Sequence, residues 1–325
     1  MNYDVERFSN AIHIVCPVHN GAQFLTEFIA SLQAQTVQNW LLWVRNDGSR
    51  DDSANVLRTL ASGDERIRIL DIAGVQLGVV GAFGWLLQRV PEVARYIMFA
   101  DQDDVWLPFK IEYTLSAMTM TEGGYSGPVL VHTDTTVVDA TLNEIDASFW
   151  HYADIHPQPA VLQRLAVHNV VTGATVMMNR AMRERVGEIP ADAANYDWWI
   201  GCVASAFARV VAVSTSTMLY RQHSTNDVGA RQPVSALSIQ ELPVRAVSAW
   251  SGRVKVRADI AKAARQAAAL VREYGPELPE NDRQFLNAYA QIPHRHWLQR
   301  KVDIVRLHLR RESGWLSNFG VLVRA

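Results

Sequence analysis

Tyr96-Ile97-Met98-Phe99-Ala100-Asp101-Gln102-Asp103-Asp104 is apolar through Ala100 and then carries three acids in four positions. The apolar part has the length of one buried strand and ends abruptly at a polar turn. The same pattern occurs twice upstream. Ile12 to Cys16 runs into Pro17-Val18-His19-Asn20-Gly21, and Trp40 to Val44 runs into Asn46-Asp47-Gly48-Ser49. Between these strands lie helix-period segments. Ala22 to Gln35 carries Phe24, Leu25, Phe28, Ile29 and Leu32 on one stripe; Asp51 to Leu60 and Val79 to Val90 follow, with a strand at Ile67 to Leu70 between them. This alternation predicts βαβ units. The fold class is therefore α/β, a Rossmann-like, mostly parallel central sheet with helices on both faces. Ligands bind such sheets beyond the carboxyl ends of the strands, where three polar turns here share one edge.

Further strands are expected at Val129 to His132, Ala174 to Met178 and Val210 to Val213, with a helix over Asp197 to Phe207. From about Gln232 the pattern becomes helical and Ala-rich: Val254 to Glu273, then Asp282 to Ile292 and Trp297 to Arg311, with Pro276 and Pro279 as breaks. The expected division is an α/β domain over residues 1–231 and a helical C-terminal region over residues 232–325. The 325 residues are 49% hydrophobic and 20% charged, ordinary for a globular chain, and a net charge of -2 argues against a nucleic-acid binder. That average hides an asymmetry, because Glu241 to Ala325 holds 15 Lys/Arg against 8 Asp/Glu. Trp297, Leu298, Val302, Val305, Trp315, Leu316, Phe319, Val321 and Leu322 are interleaved with that basic charge, which suits an interfacial helix on an anionic membrane. A helix packed on the protein or on another subunit fits equally. Cys16 and Cys202 sit in apolar runs without disulfide or zinc spacing. No stretch reaches the ~20 apolar residues of a membrane span, and the first ten residues lack an apolar signal core. A cytoplasmic protein, peripheral on the inner membrane at most, is expected.

Three aspartates at one strand end repel one another unless a cation joins them, and Mg2+ or Mn2+ suits carboxylates that share it with phosphate oxygens. The alternative is a helix start decorated with acids, since Pro108 soon follows. Asp197 likewise reads either as a helix cap or as a base.

Seven motifs in register carry a resemblance: Ile14 to Gly21, Asn46 to Asp51, Gly78-Val79-Val80-Gly81-Ala82-Phe83, Phe99 to Trp106, Thr172-Gly173-Ala174, Tyr196-Asp197-Trp198-Trp199 and Tyr220-Arg221-Gln222-His223. Over Ile12 to Gly229 the chain resembles family 2 glycosyltransferases of the GT-A fold, most closely the rhamnosyltransferase-type members of bacterial surface-polysaccharide synthesis. The resemblance implies a nucleotide-sugar site of Pro17, Asn20, Asn46, Asp47, Gly78, Asp101, Gln102 and Asp104, with Arg221 assisting the phosphates. Family members often carry two acids where this chain has Asn46-Asp47, so which of the pair reads the base is open. It implies Asp103 and His223 at the metal, and Asp197 as the base that deprotonates the acceptor. A helix N-terminus should keep Asp197 ionised. Thr172 and Gly173 lie where sugar and acceptor meet. Trp106 reads first as packing and second as a sugar platform. At most one of Trp198 and Trp199 can face a sugar, because neighbouring helical residues point apart.

The expected function is inverting, metal-dependent transfer of a hexose, with L-rhamnose from dTDP-L-rhamnose the first choice and another UDP- or dTDP-sugar the second. The acceptor would be a lipid-linked or growing surface glycan, and a homo-oligomer is left open. The rivals are a nucleotidyltransferase, which would want a basic glycine-rich loop where Val18-His19-Asn20-Gly21 stands, and a non-catalytic sugar-binding protein.

Overall fold

The computed structural model describes residues 5–71, 75–223 and 244–307. The segment following His223, the expected boundary at 231/232, and the apolar and basic residues from His308 onward lie outside the described residues. The strands are β1 (Ile12–Val18), β2 (Trp40–Asn46), β3 (Ile67–Asp71), β4 (Tyr96–Phe99), β5 (Val105–Trp106), β6 (Val129–Val138), β7 (Glu144–Asp146), β8 (Met177–Asn179) and β9 (Arg209–Arg221). The helices are α1 (Val5–Asn10), α2 (Ala22–Gln33), α3 (Ser53–Gly63), α4 (Gly78–Leu87), α5 (Lys110–Glu122), α6 (Phe149–Tyr152), α7 (Leu162–Leu165), α8 (Arg180–Val186), α9 (Tyr196–Phe207), α10 (Val244–Tyr274), α11 (Glu280–Gln291) and α12 (Trp297–Arg306).

One sheet runs in the order β3-β2-β1-β4-β8-β6-β9-β5, with β7 paired to β6. The β3-β2-β1-β4 half is wholly parallel, as the βαβ pattern requires. The other half is mixed: β8 runs antiparallel to β4 and β6, β9 parallel to β6, and β5 antiparallel to β9. "Mostly parallel" therefore describes the first half alone. Two strands outrun their apolar runs. β6 continues past His132 and β9 past Val213 through threonines and serines that meet across the pair: Thr133 Oγ1 lies 2.6 Å from Thr217 Oγ1, and Thr136 Oγ1 2.7 Å from Ser216 Oγ. β-branched Thr fits a pleated strand as well as Val does.

Period-two alternation splits the core between the two faces of the sheet. Ile12, Ile14, Cys16 and Val18 of β1, with Leu42 and Val44 of β2, pack against Leu25, Leu57 and Ile111 of α2, α3 and α5. Val15, Leu41, Trp43, Ile97 and Phe99 face the other way, onto α4, α8 and α9. The C-terminal helices share this second core through Ala263, Ala267, Leu270, Leu286 and Tyr289. Both cysteines are free and buried.

Phe83 of α4, 1% exposed, stacks on Tyr196 at a centroid distance of 3.8 Å and tilts against Phe99 at 5.8 Å. Phe83→Ala should cost about 3–5 kcal/mol in chemical denaturation, the price of removing a buried aromatic and leaving a cavity. A loss below about 1 kcal/mol would show that this aromatic contact does not hold α4 to the sheet.

Candidate active site

β4 delivers Asp101, Gln102, Asp103 and Asp104 to the carboxyl edge of the sheet. Gln102 turns back onto β1, accepting from His19 N–H and donating to His19 O, each at 2.8 Å. It thereby acts as a strut between two strand ends. Gly21 is confined by the same strut, since a Cβ there would collide with the Gln102 amide. Asp103 Oδ2 accepts from His223 Nε2 at 2.7 Å, and the imidazole stacks on Phe24 of α2 at 4.8 Å. Asp104 is 1% exposed, and its Oδ1 accepts from Arg221 N–H at 3.2 Å. Its Oδ2 has no hydrogen-bond partner among the described residues. Burial, and then the charges of Asp103 and Asp101, push its carboxyl well above the usual range.

Arg221 is placed differently from a phosphate clamp. It is 4% exposed, with Nε donating to Asp103 O (2.9 Å), Nη1 to Ala140 O (2.8 Å) and Nη2 paired with Glu27. The guanidinium holds the acidic turn and β9 together. From the core side comes Lys110, fully buried and 4.8 Å over the Trp106 ring. Burial lowers its ammonium to about 7, against the opposing pull of Asp104.

The β2 end is equally occupied. Asp47 is 3% exposed; Oδ1 accepts from Leu77 N–H (2.8 Å), Oδ2 from Gly78 N–H (2.9 Å), and Arg45 pairs with the same carboxylate. The charge fixes the start of α4, where Gly78 has φ +72°. Asn46 is also buried and accepts from Ser49 N–H (3.2 Å). Asn20, exposed with φ 49°, accepts from Arg50 N–H at 2.8 Å, and Pro17 lies half-buried beside it. A left-handed conformation suits Asn among side-chain-bearing residues.

Asp197 sits in the first turn of α9, whose start is capped by Asn195. Its Oδ1 accepts from Trp198 N–H (2.6 Å) and its Oδ2 from Gly173 N–H (3.1 Å). Thr172 precedes the 3-10 turn Gly173–Thr175 that presents this amide. The helix start leaves Asp197 ionised at neutral pH, as expected, but does not lower its carboxyl. Burial outweighs the amides and the charge of Lys262, and raises its carboxyl to about 6. Of the tryptophans, Trp106 (2% exposed) and Trp199 (0%) are core and offer no face to a sugar. Trp198 is half-buried, its indole N–H donated to Leu165 O.

Tyr196 joins the two carboxylate arms, and the sequence reading gave it no role. Its buried phenol is pushed upward by burial and then by Asp101, Asp197 and Asp104 together. Phe24, Glu27, Arg45 and Lys110 were also missed; the helical stripe of α2 marked Phe24 as apolar, but nothing marked it as the partner of a histidine 199 positions away.

Among the described residues, no three of His, Cys, Asp and Glu converge as a preformed metal cage. The donors nevertheless fit a divalent ion shared with a ligand. Asp103 and His223 touch, Asp104 Oδ2 is buried with no hydrogen-bond partner among the described residues, and the acids add to the burial that raises Cys16 and Tyr220. Mg2+ and Mn2+ are commonly held by one or two carboxylates plus phosphate oxygens.

Residues 13–186, more than half the chain, match the family model described as glycosyl transferase family 2. Over 107 residues the chain is 32% identical to the UDP-Glc:alpha-D-GlcNAc-diphosphoundecaprenol beta-1,3-glucosyltransferase WfgD of Escherichia coli, covering 33% of this chain and 40% of that protein. Over 201 residues it is 24% identical to the uncharacterized glycosyltransferase RP339 of Rickettsia prowazekii (strain Madrid E), covering 59% and 58%. It thus spans less than two thirds of either relative. The mannosyltransferase PcManGT from Pyrobaculum calidifontis, solved with GDP-Man and Mn2+, superposes with a TM-score of 0.54 at 13% identity, over 98% of this chain and 84% of that one. At that identity the likeness concerns the fold. The family match takes in β1 to β4 and the acidic turn and ends before Asp197 and His223. The chain belongs to glycosyl transferase family 2 and has the GT-A fold.

Proposed function

We propose that the chain transfers a hexosyl group, with inversion, from a nucleoside-diphosphate sugar to a hydroxyl of a lipid-linked or growing surface polysaccharide. One arrangement carries the reading. Tyr196, which precedes Asp197, packs against Phe99 at the end of the strand that leads into the acidic turn, and its phenol is pushed upward by burial and then by Asp101, Asp197 and Asp104. Asp197 takes the proton of the acceptor hydroxyl as its oxygen bonds to the anomeric carbon, and the bond from that carbon to the diphosphate breaks on the opposite face. The electron pair leaves with the nucleoside diphosphate. Asp103 and His223 would hold Mg2+ or Mn2+, with Asp101 and Asp104 beside them. The ion, when bound, neutralises the charge that develops on the leaving diphosphate.

The motif resemblance favours dTDP-L-rhamnose as donor. A UDP-hexose is the alternative, in keeping with the UDP-Glc in the name of the Escherichia coli relative. Contact with the membrane that carries such an acceptor is supported by α12. Trp297, Leu298, Val302 and Val305 are 52–63% exposed there beside Arg295, Lys301 and Arg306. Among the described residues, no helix is long and apolar enough to cross a membrane.

With Mn2+ or Mg2+, a panel of UDP- and dTDP-sugars and a polyprenyl-diphosphate glycan, the protein should release nucleoside diphosphate from one donor. No release from any donor rejects the proposal. Asp197→Asn should lower kcat by about 10²–10⁴-fold while donor affinity, read by calorimetry, stays unchanged. Asp103→Ala should abolish transfer and also weaken metal-dependent donor binding. A fully active Asp197→Asn would move the base elsewhere.

The acid limb of the rate profile follows from the same carboxylate. A base works when deprotonated, so a group raised to about 6 makes kcat/KM fall as pH drops through about 6, with a plateau above. A limb near the ordinary carboxylate value of 3.8 would mean that Asp197 is not the titrating group.

A further inference from the structure

Gln266 lies on α10, 1% exposed, among Ala263, Ala264, Ala267 and Leu270. Leucine would serve such surroundings at no polar cost, whereas a buried amide must find partners. Gln266 finds them on α9 and on the chain that leads into it. Its Oε1 accepts from Ala194 N–H at 2.9 Å, and its Nε2 contacts Cys202 Sγ at 3.6 Å. Ala194 immediately precedes Asn195, the cap of α9, and Asp197 follows in the first turn. A second bond fixes the same segment, as Arg272 grips Asp192 at 3.2 and 3.3 Å. The Asp197 carboxylate itself accepts from Gly173 N–H of the 3-10 turn and from Trp198 N–H of α9.

We propose that Gln266 is a positioning residue for Asp197, which makes the C-terminal helical region part of the catalytic apparatus. Gln266 sets the path of the chain into α9 and so the place of the carboxylate. The inference rests on the reading of Asp197 as the base.

The test uses the full chain, with Gln266→Met and, as a control on the exposed face of α11, Arg283→Ala. Amide hydrogen exchange comes first because it needs no turnover. Gln266→Met should speed exchange at Ala194 by about tenfold, the loss of roughly one hydrogen bond. In nucleoside-diphosphate release, Gln266→Met should lower kcat by about tenfold and leave the donor KM within about twofold, as misplacement of a reacting group does. Unchanged exchange at Ala194, or faster exchange with kcat unaltered, would overturn the inference. Faster exchange in a protein that turns over no donor would reject the proposed function and leave the tether from Gln266 to Ala194 standing.

Discussion

Negative charge held out of water at the end of β4 is the constraint to which the surrounding structure answers. Asp104 is buried and lies beside Asp103 and Asp101, an arrangement that costs several kcal/mol per ion unless other groups compensate. The compensation comes from distant parts of the chain. Arg221 at the end of β9 gives its backbone N–H to Asp104 and its Nε–H to the carbonyl of Asp103, Lys110 approaches from the core, and His223 meets Asp103. The short pairing of β5 with β9 makes this possible, since Val105 opposite Leu219 and Trp106 opposite Met218 fix Arg221 beside the turn. These partners brace the acids without cancelling them: burial raises Cys16, Tyr196 and Tyr220, and the charges of the acids add to that push. A residual field of this sign is what a cation and its phosphate ligand would complete.

The second arm of the site is held by different physics. Asp197 is positioned by backbone amides at a helix start and by packing of the residue before it. Tyr196 stacks on Phe83 and leans on Phe99 at 5.4 Å, and Phe99 is the last residue of β4. The strand that delivers the acids therefore also carries the ring that seats α9. Apolar stacking sets the distance between the arms, while hydrogen bonds set the direction of each carboxylate. Rigid support of this kind is what a transfer reaction needs, because misplacing a reacting group is expensive.

The parallel half of the fold was legible because its signals are local: apolar runs of strand length, helical stripes and polar turns. Asp103 and His223, far apart in the chain, are brought together, as are Gly173 and Asp197. The mixed half of the sheet was less legible. β6 and β9 are extended by Thr and Ser whose partners lie 80 or more residues away, so the cross-strand contacts that justify them are invisible to a local pattern. The same limit hid the bracing role of Arg221, the saturation of Asp47 by Leu77, Gly78 and Arg45, and the burial that outweighs the helix start at Asp197. Each is a balance between desolvation and a tertiary partner, and sequence supplies only one side of it. Gln266 was harder still, being one Gln in an Ala-rich helix.

Gly173 shows how tightly the two arms constrain one another. A Cβ at this position would collide with the Tyr196 hydroxyl, so only glycine lets the 3-10 turn come close enough for its N–H to reach Asp197. The tyrosine cannot retreat, because its ring is pinned between Phe83 and Phe99. A larger residue at 173 would push the turn away from α9, and Asp197 would lose one of the amides that oppose its protonation. Its carboxyl would then titrate still higher, and the fraction ionised near neutral pH would fall. The absence of one methyl group thus bears on both the place and the charge of the base, through a residue, Tyr196, whose own position is set by the strand that carries the acidic turn.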